Sequence, residues 1–137
     1  MKNILIIEDN EPIREVLAIT LRKHLRDCTI LTACNGEEGV SILSSTPLDL
    51  ILTDLQMPVK DGYGVIEHRN NHYPDVHLIV MTADNTAEMR ARLNALGVSQ
   101  YLEKPFDFDQ VSGTIWDKLY AGQPHTAGEG GLRPGNG

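Results

Sequence analysis

The chain has 137 residues, 41% of them hydrophobic, which suffices for one domain with a buried core and leaves little for a second. With 19 acidic against 12 basic residues the net charge is −7, which repels nucleic acid and anionic membrane surfaces and argues against direct DNA binding. The opening MKNILIIEDN has an apolar run only at Ile4–Ile7, too short for a signal-peptide core or a membrane span, so a soluble, cytoplasmic protein is expected.

That run reads as a first strand closed by Glu8 and Asp9. A helix follows, with Pro12 in a tolerant first turn and Ile13, Val16, Leu17, Leu21 and Leu25 on one face. CTILTAC (28–34) is a second strand; Cys28 and Cys34 form no CxxC pair and are expected to be buried structural thiols. A helix over roughly 37–44 leads to a third strand, LDLILTD (48–54), which runs apolar and then ends on Asp54 before breaking at Pro58 and Gly62. Further along come a helix over 63–71, a strand HLIVMT (77–82), a helix over 85–96 stopped by Gly97, a weaker strand VSQYL (98–102) and a helix over 107–119. Residues 121–137 hold six of the twelve glycines; such a composition cannot bury a core and is expected to be a flexible tail or linker beyond a domain at 1–120.

Strands that are apolar throughout suit a sheet covered on both faces, which is the signature of parallel pairing. Five β-α repeats with right-handed crossovers make a doubly wound α/β sheet with helices on both faces. Ligands of such sheets bind beyond the carboxyl ends of the strands. Those ends carry Glu8 and Asp9, Asp54, Thr82 and Lys104, which lie almost a hundred positions apart in sequence. Each alone reads as an ordinary turn residue. Together they make a pocket of three carboxylates, a hydroxyl and an ammonium. Crowded carboxylates repel unless a cation compensates, and oxygen ligands without His or Cys suit Mg²⁺ better than zinc. A metal, a Lys and a Thr around one spare carboxylate can stabilise phosphoryl oxygens while that carboxylate acts as nucleophile. Asp54 is therefore expected to be phosphorylated.

Four motifs in order, Glu8-Asp9, Asp54-Leu55-Gln56-Met57-Pro58-Val59-Lys60-Asp61-Gly62, Thr82-Ala83 and Lys104-Pro105-Phe106, closely resemble those of the receiver domains of two-component response regulators, over roughly Lys2–Leu119. The resemblance implies a flavodoxin-like strand order 2-1-3-4-5. It also implies Mg²⁺ (or Mn²⁺) held by Asp9, Asp54 and the Gln56 backbone carbonyl, with Glu8 contacting the metal through water. Asp54 would accept a phosphoryl group from a sensor histidine kinase or a His phosphotransfer protein. Thr82 and the Ala83 amide would bind its oxygens, Lys104 would pair with one of them, and the Lys104–Pro105 peptide would be cis. Movement of Thr82 would admit Tyr101 into the space it leaves, altering a face made of the fourth helix, fifth strand and fifth helix. A downstream output domain or target protein would read that face, and a phosphorylation-dependent homodimer could form on it. Such a protein catalyses only its own phosphotransfer and slow autodephosphorylation.

Beside this chemistry Pro58 is expected to stiffen its loop and Gly62 to relieve a backbone restriction. Gln56 and Asp84, two positions after Asp54 and Thr82, flank the approach of water and would influence the lifetime of the phosphorylated state. His68 and His72 share a helical face, but without a third ligand they read as solvent-facing. Trp116, Met81 and Met89 read as packing residues. The rival reading from the enzyme class is an aspartyl-nucleophile phosphatase, which would place a second Asp as general acid where Gln56 stands. A flavodoxin-like FMN module is weaker, since EDNEP offers negative charge where a phosphate needs donors.

Overall fold

In a computed structural model of the chain, residues 1–57, 60–98 and 100–120 are described. The tail and Pro58, named above, lie outside them. Strands and helices alternate: β1 (Lys2–Ile7), α1 (Glu11–His24), β2 (Cys28–Ala33), α2 (Gly36–Ser45), β3 (Leu50–Asp54), α3 (Gly62–His72), β4 (His77–Thr82), α4 (Ala87–Ala95), β5 (Tyr101–Glu103) and α5 (Phe108–Leu119). All four strand pairings are parallel and the sheet order is β2-β1-β3-β4-β5.

Alternate side chains along the central strands go to opposite faces of the sheet, and both faces are apolar. Leu5, Ile7, Ile51, Leu78 and Val80 pack with Leu43, Val65, Ile66, Met89 and Leu93 from α2, α3 and α4. Ile4, Ile6, Leu50, Leu52, Ile79 and Met81 pack with Leu17, Leu21, Val111 and Ile115 from α1 and α5. Each fully buried aliphatic side chain contributes about 1.5–3 kcal/mol relative to exposure, so Leu52→Ala in the central strand costs about 2–5 kcal/mol. This two-sided burial explains why the strands are apolar throughout, and it anchors the strand ends that carry the polar residues.

The helices begin where the chain supplies an acceptor. The side chains of Asn10, Asn35, Asp61, Thr86 and Asp107 accept from the backbone N–H groups of Ile13, Glu38, Gly64, Met89 and Asp109, satisfying first-turn donors at all five starts. Gly97, at φ 81°, ends α4, and Val98 donates its N–H to the Leu93 carbonyl. That bond ties Val98 to the helix end, so β5 begins at Tyr101 and not at 98 as expected.

Two further expectations need correction. Cys34 is exposed and Cys28 only half-buried, because Cys28 opens β2 and Cys34 follows its last residue, and β2 is an edge strand covered incompletely by its helices. Trp116 is half-buried, packed on the α1/α5 side of the core and against the Tyr120 ring at 4.3 Å, while Met81 and Met89 are buried as expected. No described helix is long and apolar enough to cross a membrane.

Candidate functional site

At the carboxyl edge the backbone ladder runs slightly past the strands, and this fixes the polar residues. Glu8 donates its N–H to the Ala33 carbonyl at 3.1 Å, Leu55 to Met81 at 3.3 Å and Lys104 to Thr82 at 2.8 Å. Glu8, Asp54 and Thr82 are thereby buried, whereas Asp9 is exposed. Oxygens of Glu8, Asp9 and Asp54 all lie within 4.8 Å of one another.

Lys104 closes this group from the far side. Its Nζ donates to Glu8 Oε1 at 2.7 Å and to Asp54 Oδ2 at 3.0 Å. Burial works against the ammonium, but the hydrogen bonds and charges of Glu8 and Asp54 outweigh it and hold its pKa above the usual value. Burial dominates at Glu8, pushing its carboxyl up despite the pull of Lys104 and the Asn10 N–H. Part of the cationic compensation expected from a metal is thus supplied by Lys104 itself. The Lys104–Pro105 peptide bond is cis.

The donor set distinguishes the three acids. Glu8 uses Oε1 for Lys104 and Oε2 for the Asn10 N–H at 3.2 Å, so both its oxygens have protein donors. Asp54 Oδ1 accepts from the Leu55 N–H at 2.8 Å. Asp9 carries no such bond among the described residues and faces solvent. Hard carboxylate oxygens, with one acid open to water, fit a divalent ion such as Mg²⁺ that keeps several waters.

The loops above the carboxylates are tied to each other. Thr82 Oγ1 donates to the Asp84 carbonyl at 2.9 Å and accepts from the Asp84 N–H at 3.0 Å. Gln56 Nε2 in turn donates to Asp84 Oδ2, joining the loop after β3 to the loop after β4. A cavity of about 210 Å³ opens beside this bridge, lined by Leu55, Gln56, Thr82, Asp84, Met89 and Arg92. Arg92 lies 3.7 Å over the Tyr63 ring at its rim, a cation–π contact. Ala83 is exposed, and Tyr101 is half-buried against the α4 side of the core.

Gly62 departs from expectation in its reason. Gly97 is the positive-φ glycine among the described residues, so Gly62 needs no left-handed conformation. A Cβ on Gly62 would lie 2.3 Å from the Asp54 carbonyl oxygen and 2.8 Å from Leu55 Cα. The first turn of α3 rests directly on the backbone of the acidic strand end, and a side chain would push it away.

The chain matches the family model described as "Response regulator receiver domain" over residues 4–115. It belongs to the response regulator receiver domain family. A probable C4-dicarboxylate response regulator, DctR, of Halalkalibacterium halodurans is 34% identical over 112 residues, 82% of this chain and 49% of that protein. The chain therefore spans about half the length of that relative. Among solved structures, the response regulator TrrA of Thermotoga maritima, in complex with Mg²⁺ and BeF, is 31% identical with a TM-score of 0.74, covering 87% of this chain and all of that one (100%). The receiver domain of Saccharomyces cerevisiae Ssk1, crystallised with the histidine phosphotransfer protein Ypd1, is 28% identical with a TM-score of 0.77, covering 86% and 88%.

Within this receiver domain three features escaped the sequence reading. Arg14 Nη1 donates to the Glu8 carbonyl at 2.9 Å, and Asn10, besides capping α1, holds the Glu8 carboxylate. Neither has a motif that would mark it. An apolar recess of about 340 Å³ opens beside Lys104, lined by Ile13, Ala83, Pro105, Phe106 and Phe108. Its parts come from α1, the loop after β4, the loop after β5 and the start of α5, so no single window of sequence reveals it. The sequence expected His68 and His72 to face solvent; His72 does, but His68 is half-buried, 3.3 Å from Ser44 Oγ. The two rings lie 4.6 Å apart, and the acidic trio is the metal-competent cluster among the described residues.

Proposed function

We propose that this receiver domain is a phosphoacceptor in which Asp54 takes a phosphoryl group from a phosphohistidine on a sensor kinase or His phosphotransfer protein. The observation that carries the reading is the grip on Asp54: its carboxylate lies within 4.8 Å of two other acids and 3.0 Å from the Lys104 ammonium. An Asp54 oxygen attacks phosphorus, the P–N bond breaks, and its electron pair returns to the imidazole of the donor. Asp9, Asp54 and the Gln56 carbonyl would hold Mg²⁺, with Glu8 contributing through water. The ion, when bound, neutralises charge on the phosphoryl oxygens and on the acids around them. Lys104, released from Asp54, pairs with one phosphoryl oxygen; the Thr82 hydroxyl and the Ala83 N–H take the others.

The new group adds about −1.5 to −2 charge and favours the conformation that contacts it better. Thr82 must leave Asp84 to reach it, and Tyr101 moves into the vacated space. The surface of α4, β5 and α5 is the readout, for an output domain or a target protein, and a phosphorylation-dependent homodimer is one form it can take. The domain spans 1–120, with 121–137 as tail or linker; the reaction is its own phosphorylation and slow autodephosphorylation, and the compartment is the cytoplasm.

The test is incubation with Mg²⁺ and acetyl phosphate, comparing intact mass with that of Asp54→Asn. One hydroxylamine-labile phosphoryl group on the parent and none on the variant is the expected result. Equal gain in both, or none in the parent, overturns it. Steady hydrolysis of phosphate monoesters would instead favour the phosphatase.

A further inference from the structure

The edge of the sheet remote from Asp54 carries a second concentration of charge. His77 opens β4 and Thr82 closes it, so at about 3.3 Å per residue the two ends lie roughly 17 Å apart. Beside His77 is a recess of about 80 Å³, bounded by Arg69 from α3, Lys118 from α5, and Gly97, Val98 and Gln100 from the connection into β5. Two permanent cations and an imidazole thus converge from three separate elements, in a chain whose net charge is −7.

Among the described residues no carboxylate lines this recess. Asp49, whose charge acts on His77, lies 4.0 Å from the Lys2 ammonium and accepts the Asn3 N–H at 2.7 Å. Asp75 is felt by Arg69 but lies outside ion-pair distance, and neither Arg69 nor Lys118 forms an ion pair among the described residues. Converging cations without a countercharge repel one another, so an anion placed between them is favoured.

We propose that this recess binds one small tetrahedral oxyanion of sulfate or phosphate size, separately from the phosphoacceptor site. The guanidinium explains the shape. Arg69 Nε donates to the Val76 carbonyl at 2.8 Å and Nη1 to Asn70 Oδ1 at 2.7 Å. That fixes the group in place and leaves Nη2 and the second Nη1 hydrogen to face a ligand. Arg69, Lys118 and His77 come to the recess from α3, α5 and β4, so several oxygens of one anion can each meet a different donor. The recess, at about 80 Å³, is well below the roughly 300–1,000 Å³ typical of drug-sized ligand sites, so a single small anion is the suitable size.

Protonation of His77 completes the site. Burial holds its pKa below the usual value, with Lys118, Arg69 and Lys2 adding to the effect and Asp49 opposing it. A bound anion reverses the balance, so affinity rises as pH falls and the bound state titrates at a higher pH than the free one.

Sulfate is the suitable probe, because it stays dianionic over this range and cannot phosphorylate Asp54. The full chain is titrated with sodium sulfate at constant ionic strength, without Mg²⁺, by two-dimensional NMR of backbone amides and the His77 ring. Saturable shifts at Gly97, Val98 and His77, together with an upward move of the His77 midpoint, are expected. Lys118→Gln should weaken binding about tenfold, and His77→Gln should remove its pH dependence. Both side chains lie outside the core, so amide dispersion and Asp54 phosphorylation should match the parent. Shifts that never saturate and are equal in the parent and both variants overturn the proposal, as do saturable shifts confined to the surroundings of Lys104.

Discussion

Thr82 and Asp84 exchange two hydrogen bonds, the hydroxyl donating to the Asp84 carbonyl at 2.9 Å and accepting its N–H at 3.0 Å. Thr82 is thereby committed to its own loop, and the Gln56 amide, bonded to the Asp84 carboxylate, holds that loop against the one after β3. Any conformation in which Thr82 reaches a phosphoryl group on Asp54 must give up this arrangement. Asp84→Ala removes the tether and a negative charge near the anion, and it should tighten binding of the phosphoryl mimic beryllofluoride by about fivefold, roughly one hydrogen bond. Gln56→Ala keeps the charge and removes only the tether. If it leaves affinity for the mimic unchanged by fluorescence or NMR titration, the bridge has no hold on Thr82.

The ammonium of Lys104 between Glu8 and Asp54 gives a stability prediction whose sign depends on the partner removed. Lys104→Met leaves two buried carboxylates facing each other and should cost about 3 kcal/mol at neutral pH by urea unfolding. Glu8 has a raised pKa in the fold, so its contribution is fully present below the usual value of 4.5 and is lost as pH rises through the folded pKa. The deficit of Lys104→Met should therefore shrink as pH is lowered toward that range, and Glu8→Gln in the same background should restore stability at pH 7. Lys104 shows the same sign at the other end: its raised pKa stabilises the fold below 10.5, and that contribution goes as pH rises through the folded value.

Gly62 tests the packing beneath the acid. Alanine there would bring a methyl group to 2.3 Å from the Asp54 carbonyl oxygen, and backbone on both sides must shift. The expected cost is about 1–3 kcal/mol in unfolding free energy, with slower phosphorylation of Asp54 by acetyl phosphate. Unchanged stability and rate would mean the α3 start has more freedom than its contact with Leu55 implies.

Much of this was legible in the chain, and the reason is its two-sided burial. Strands as apolar as LILT and LIVM leave no choice of face, so their number, parallel pairing and polar ends could be read from composition alone. Asp54 and Thr82 stood out because each ends an apolar run at the same end of its strand, whereas Lys104, behind a weak strand and Glu103, was marked by the Lys104-Pro105-Phe106 motif. The Gln56–Asp84 bridge was legible as two positions but not as a bond, since side-chain reach across loops has no periodicity. Cys34 was misread because its strand lies at the sheet edge, and strand order is a tertiary fact. Gly62 was assigned a conformational role where the true constraint is space, since a Cβ there would lie 2.3 Å from the Asp54 carbonyl oxygen.

The acids should separate by role. Asp9 is exposed and carries no protein hydrogen bond to its carboxylate among the described residues, whereas Glu8 is held on both oxygens. Asp9→Asn should therefore weaken Mg²⁺ binding by about 10–100-fold, and Glu8→Gln by less, in a titration followed by NMR of the backbone amides around Asp54. An equal loss in both would place Glu8 in direct contact with the ion.

The apolar surface beside Lys104 distinguishes chemistry from docking. The recess lined by Ile13, Pro105, Phe106 and Phe108 adjoins α1, whose Val16 and Ile19 are 44% and 63% exposed. Ile13, Val16 and Ile19 repeat at three-residue spacing and so lie along one side of the helix, reaching from the pocket outward. If a protein donor brings its histidine to Asp54 over this ground, blocking it should affect that donor and not acetyl phosphate, which needs none of it. Val16→Glu changes an exposed residue and should leave stability within about 0.5 kcal/mol. It should slow transfer from a phosphorylated histidine phosphotransfer protein by tenfold or more, the effect of about 1.4 kcal/mol lost from docking, and leave acetyl phosphate kinetics unchanged. Equal slowing with both donors would place the effect in the pocket, and equal rates with both would show that the protein donor approaches Asp54 from another side.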